Sequence, residues 1–120
     1  MSQKQSDIPS KFNHGWLQDL DSRTALAREL RERYQALTDD LGGADRLSYA
    51  QRSMAERALW LERFLVLEEQ NLASGKEFDA ARWIQACNSL SGIFKTLGME
   101  RKARDVPSLH EYLQAKESGQ

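Results

Sequence analysis

Cysteine, proline and histidine are scarce in this 120-residue chain, and charge of neither sign dominates it. The single cysteine, Cys87, cannot close an intramolecular disulfide, so a disulfide framework is excluded and a reducing compartment suits the chain. Two isolated histidines, His14 and His110, make no zinc-ligand pattern with that cysteine, and no metal or cofactor is implied. Seventeen basic residues stand against 18 acidic ones, for a net charge of −1. The global basic excess of a free-standing nucleic-acid binder is therefore missing, and any DNA contact must come from a local patch or from weak patches repeated in an oligomer. No apolar run approaches the length of a membrane span. The start, MSQKQSDIPSKFNHG, is polar and lacks the apolar core of a signal peptide. The expectation is a cytoplasmic protein without a membrane partner. No segment alternates with period two, so no sheet is predicted, and there is no internal repeat.

What is present is helical spacing. Residues 1–20 carry Pro9, Gly15 and polar side chains without periodicity, and read as a mobile N-terminal arm; Phe12, Trp16, Leu17 and Leu20 are its residues able to dock on the body. Asp21 or Ser22 is placed to cap a first helix, whose apolar positions run Leu26, Leu30, Tyr34, Leu37, Leu41 before Gly42-Gly43 ends it. Ser48 and Gln51 form a capping box for the longest helix, which reaches to about Ala73, with Gly75 as its stop. Its main stripe is Met54, Ala58, Leu61, Leu65 and Leu72; a second holds Trp60, Phe64 and Leu67, and a third Leu59 and Val66. A helix apolar on several faces is surrounded by others. A chain this short has few helices to supply, so a neighbouring subunit is the expected cover.

Asp79 caps a third helix that ends at Leu97 before Gly98, with a stripe of Trp83, Cys87, Leu90, Phe94 and Leu97 widened by Ala86 and Ile93. The short link Ser74 to Phe78 predicts an antiparallel hairpin of helices two and three. Ser108 and Glu111 make a second capping box for a short last helix. The predicted architecture is all-α and oligomeric: a long helical hairpin with an N-terminal helix and a short C-terminal helix. It divides into the arm at 1–20, a helical oligomerisation and DNA-binding domain at 21–97, and a basic linker, short helix and tail at 98–120.

Catalytic chemistry finds no constellation. Cys87 lies on an apolar stripe, the carboxylates alternate with arginines as solvated faces do, and Gly42-Gly43 lacks the lysine of a phosphate loop. The chain reads as a non-enzyme, without catalytic residues. Two basic features remain. Arg28, Arg31 and Gln35 share a helix face with Thr24; such a face is either solvated or a phosphate-contacting edge. Arg101, Lys102 and Arg104 follow the third helix, where cations favour the helix dipole or meet a partner. Trp60, Phe64, Leu67 and Ile93 are the candidate oligomer interface. Leu109, Tyr112 and Leu113 lie on one side of the last helix as a candidate docking element.

The stretches DSRTALARELRERYQALTDDLGG, LSYAQRSMAERALWLE and LGMERKARDVPSLHEYLQ, in that order, resemble the small terminase subunits of tailed bacteriophages and prophages. The resemblance covers about residues 16–115. It implies a DNA-packaging factor that assembles into a homo-oligomeric ring, binds double-stranded DNA at the packaging start, and delivers it to a large terminase subunit holding the ATPase and nuclease. Many members carry a compact helix-turn-helix module before the hairpin. Here a very long helix follows helix one directly, so Arg28 and Arg31 are assigned on chemistry rather than on a motif. The alternatives are a helical homo-oligomeric adaptor, antitoxin-like and without a DNA role, and a small dimeric transcriptional regulator.

Overall fold

Side-chain caps set where the helices begin. In the computed structural model, which describes residues 5–98 together with Leu113 and Lys116, α1 spans Ala25–Asp40, α2 Tyr49–Ala73 and α3 Ala80–Leu97. The described residues are thus mainly helical and contain no strand; Gln5 and Leu20 form one isolated bridge. The Ser48–Gln51 capping box is closed in both directions, Gln51 N–H donating to Ser48 Oγ at 3.1 Å and Ser48 N–H to Gln51 Oε1 at 2.9 Å. Asp79 Oδ1 accepts from Arg82 N–H at 3.1 Å and starts α3 as its position predicts.

The start of α1 differs from expectation. Thr24, not Asp21 or Ser22, is the cap, with Oγ1 accepting from Ala27 N–H at 3.1 Å. Asp21 instead closes the preceding turn: its carbonyl accepts from Thr24 N–H, and its carboxylate holds the Arg23 guanidinium at 2.9 Å. The ends follow the glycines. Gly43 N–H reaches Thr38 O at 2.8 Å while Gly42 N–H reaches Asp39 O at 3.1 Å, the paired bonds of a Schellman stop. The same pairing, Lys76 to Asn71 and Gly75 to Leu72, ends α2. Gly42 at φ 110° and Gly75 at φ 74° take a left-handed backbone that a Cβ would disfavour. A short 3₁₀ turn, Ala44–Arg46, lies between α1 and α2.

Helix α2 is the centre of the fold, and its several apolar stripes face two cores. Ala58, Leu61 and Leu65 pack with Ala86, Ile93 and Leu97 of α3 and with Leu41 and Leu47. Leu59, on another side of α2, packs with Ala27 and Leu30 of α1 and with Trp16, Leu17 and Leu20. Trp60 lies against both. The side of α2 that carries Leu59 is therefore covered from within the chain.

That cover is the stretch expected as a mobile arm, and its described part is packed. Trp16, Leu17 and Leu20 are buried and Phe12 is half-buried, as their apolar character allows. Burying one Trp contributes about 5 kcal/mol by area, comparable with the backbone cost of ordering about three residues, and Leu17 and Leu20 add to it. The loop's ends are also pinned together: Asp21 N–H donates to Gln5 O at 2.8 Å. Residues 5–21 thus form a compact closed loop over α1 and α2. Polar tethers fix its register. Trp16 Nε1 donates to Glu56 O at 3.2 Å, Trp60 Nε1 to Pro9 O at 2.9 Å, and Arg63 grips Asp7 through two bonds of 2.8 and 3.1 Å.

Two carboxyls near this contact respond to pH in opposite senses. The Arg63 guanidinium holds the Asp7 carboxyl below its ordinary value of 3.8. Its stabilisation is complete above that value and is lost as pH falls through the lower, folded one. Burial beside the α1–α2 cavity, opposed by Arg33, raises Glu62 above its ordinary 4.5. Its ionisation therefore destabilises the fold as pH rises from 4.5 through the raised value. Asp7→Asn is expected to lower stability at neutral pH by about 1 kcal/mol, the worth of a well-formed, partly exposed bridge, with the difference from wild type vanishing in strong acid. Glu62→Gln is expected to flatten the decline above pH 4.5. Urea titrations at stepped pH check both; an Asp7→Asn difference that persists unchanged in strong acid contradicts the assignment.

Candidate partner and DNA interface

The α1 edge does not form a continuous cationic strip. Arg31 is half-buried and turned inward, its Nη2 donating to Leu17 O at 3.1 Å and Leu20 O at 3.2 Å. It serves as a strut under the end of the N-terminal loop. Gln35 Nε2 donates to Asp39 Oδ1 one turn on, at 2.9 Å. Arg28 alone of the three is an exposed guanidinium with no ion-pair partner among the described residues. The helical spacing that aligned these residues is present, but a carbonyl supplied by a neighbouring loop is invisible to spacing. Arg101, Lys102, Arg104, Leu109 and Tyr112 lie outside the described residues. Leu113 is helical and half-exposed.

The expected interface residues divide. Ile93 is 5% exposed, inside the α2–α3 core, and is unavailable to a neighbour in this fold. Its side chain fell on the widened edge of the predicted α3 stripe; packing on α2 centres the buried strip on Ala86, Ile93 and Leu97. Leu67 is half-buried. Trp60 and Phe64 are half-buried and stack on one another, ring centroids 5.9 Å apart and planes within 7°. Leu72, placed by spacing on the main α2 stripe, is 58% exposed, because the last turn of α2 passes beyond its cover. Ile84, which no stripe included, is 52% exposed on α3. These two apolar side chains flank the Ser74–Asp79 connection.

Compared with known protein families, curated proteins and solved structures, the chain matches none. Its functional reading accordingly rests on its own side chains.

Three rings and two guanidiniums form a continuous series on one side of α2. Arg57 lies 4.1 Å from the centroid of Phe12; Phe12 meets Trp60 edge-on at 6.4 Å; Trp60 stacks on Phe64; and Arg82 of α3 lies 5.3 Å from Phe64. A cation over a ring face is attracted by its quadrupole, by about 0.5–1 kcal/mol at an exposed site. The series joins the loop, α2 and α3. Only the pair Trp60–Phe64, one turn apart on a helix, is legible in the sequence; Phe12 comes from the loop and Arg82 from α3.

One histidine–carboxylate pair also escapes sequence spacing. His14 Nδ1 lies 2.7 Å from Glu56 Oε2, while Gly15 N–H donates to Glu56 Oε1 at 3.2 Å. Glu56 is 4% exposed. Both carboxylate oxygens are thus satisfied by the loop, and the pair acts as a latch on it. No nucleophile accompanies it among these contacts. Cys87 is half-buried, and no cluster able to hold a metal occurs among the described residues. No described helix is long and apolar enough to cross a membrane.

Proposed function

We propose that this chain is a non-enzymatic DNA-packaging factor of the small-terminase kind, acting in the cytoplasm as a homo-oligomeric ring that binds double-stranded DNA and recruits a large ATPase and nuclease subunit. The observation that supports this reading is the exposed apolar pair Leu72 and Ile84 beside the α2–α3 connection. In this reading α2 and α3 are the antiparallel hairpin of the subunit contact, and Leu72 and Ile84 meet the next copy. The residues Arg28, Arg101, Lys102 and Arg104 are the phosphate contacts, each weak alone and multiplied by the ring. A helical adaptor without a DNA role is the second reading; the inward-turned Arg31 and the near-neutral charge favour it.

Light scattering of the full chain distinguishes them. A large ring that Ile84→Glu reduces to smaller species, with helix content intact, supports the packaging reading; a wild-type monomer or stable dimer defeats it. In DNA titrations, Arg28→Ala is expected to reduce the log–log salt slope by about one unit, as the loss of one phosphate contact requires. An unchanged slope and affinity remove Arg28 from the contact surface.

A further inference from the structure

Beside the aromatic series runs a groove between α2 and α3, whose floor includes Trp60 and Phe64, two of the residues that the sequence marks as a candidate oligomer interface. It is a shallow, open depression of about 200 Å³. Trp60, Phe64 and Ala86 supply an apolar floor, and Arg82, Gln85 and Ser89 a polar rim. Arg82 is its one charged lining residue. Arg82 and Arg57, at the two ends of the ring series, are exposed and have no carboxylate partner among the described residues. Lys11, next to Phe12 in the loop, is exposed as well.

We infer that this groove docks a short acidic segment of a partner protein that inserts one large apolar side chain. The groove's volume suits a leucine- or tryptophan-sized anchor, and its floor removes that anchor from water. Arg82 on the rim is a fork for a carboxylate, and Arg57, outside the lining at the other end of the ring series, offers a second, so acidic residues are wanted on both sides of the anchor. Gln85 and Ser89 can bond the segment's main chain. Arg82 also lines a second hollow, shared with Glu68, Glu77, Asp79 and Lys76.

Single-stranded nucleic acid offers the same negative charge but fits less well. Bases bind such surfaces by stacking on free ring faces. Here Trp60 and Phe64 cover each other, Arg82 lies over Phe64 and Arg57 over Phe12. The groove offers a slot for an aliphatic or aromatic side chain rather than an open platform.

The test uses the full chain, labelled with ¹⁵N, and short synthetic peptides with glutamates on both sides of one leucine or tryptophan. The expected result is saturable binding that shifts the Trp60 indole N–H signal and leaves that of the buried Trp16 in place. Arg57→Gln and Arg82→Gln, both at exposed positions, are each expected to weaken binding about fivefold, the upper range for an exposed ion pair. Ser89→Trp, which fills the slot from an exposed rim position, is expected to abolish binding with helix content unchanged. Peptides with lysine for glutamate, or alanine for the anchor, should not bind. The inference is overturned if no peptide moves the Trp60 signal, or if the lysine peptide binds equally. Oligothymidine binding that the same substitutions abolish would assign the groove to nucleic acid instead. A Ser89→Trp change in the protein's own mass would assign it to a second copy of the chain. The peptide outcomes do not depend on ring formation or duplex binding, so on them the packaging reading stands or fails separately.

Discussion

Trp16→Ala is expected to remove about 3–5 kcal/mol of stability, the largest loss from any single truncation in the N-terminal loop. The indole is 1% exposed and packs with Leu17, Leu20, Ala27, Leu30 and Leu59. Truncation forfeits that area and leaves a cavity, because α1 and α2 are held apart by their own contacts and cannot collapse into it. It also removes the bond from Trp16 Nε1 to Glu56 O, one of the few that ties the loop to α2 directly. A domain of this size is stable by only about 5–15 kcal/mol, so the change takes a large share. The expected fall in Tm is roughly 15 °C. Thermal melts followed by far-ultraviolet circular dichroism check it, with Trp83→Ala as the comparison. Trp83 is half-buried and bonds Glu69 at an exposed site, so its loss should cost distinctly less. Equal and small effects of the two substitutions would mean that the loop is not docked in solution.

His14→Ala is expected to cost about 2–3 kcal/mol through a group that is not itself mutated. His14 is a half-exposed loop residue whose ring also lies 4.8 Å from that of Tyr49, itself an exposed side chain, so its removal takes away only a surface ring contact. It does strip one partner from the carboxylate of Glu56, which is 4% exposed and keeps only the Gly15 N–H. An under-partnered buried carboxylate carries most of its desolvation penalty. Glu56→Gln is expected to be milder, about 1 kcal/mol. The amide oxygen can still accept from Gly15 N–H and its NH₂ group can still donate to a neutral imidazole. The predicted order, His14→Ala worse than Glu56→Gln, is unusual because the exposed residue outranks the buried one. Urea unfolding at neutral pH measures it. A His14→Ala protein as stable as wild type would show that solvent reaches Glu56 and that the latch is dispensable.

Helix termini were the most legible part of this chain. Ser48 with Gln51, Asp79 before α3, and glycines at 42, 75 and 98 act within a few residues of themselves, so local stereochemistry decides them whatever the rest of the fold does. Among the described residues the one cap misplaced, Thr24 for Asp21 or Ser22, failed because three competent residues fall within four positions. Only the turn that Asp21 closes selects among them. The multi-sided α2 was legible too, as was the docking potential of Phe12, Trp16, Leu17 and Leu20. What covers α2 was not. The loop over its Leu59 side has no periodicity, and aperiodic apolar residues give no direction to pack in.

The candidate surfaces divide along the same line. Periodicity put Trp60 and Phe64 together, since one turn of helix does so. It could not place Arg57 over Phe12, Arg82 over Phe64, or His14 on Glu56, because each pair joins segments whose approach depends on how α1, α2, α3 and the loop pack. It also aligned Arg28, Arg31 and Gln35, yet not what they touch: Arg31 turns to two loop carbonyls that become available only once Trp16, Leu17 and Leu20 are buried. The sequence by itself therefore determined the three described helices, their glycine stops and most of their apolar stripes. These follow from short-range backbone hydrogen bonding and the 3.6-residue period. The tertiary structure alone decided which apolar face is covered by the loop, which arginines are struts and which are left exposed, and where Leu72 and Ile84 emerge. Those outcomes depend on the competition among long-range contacts for the same surfaces, which no local pattern encodes.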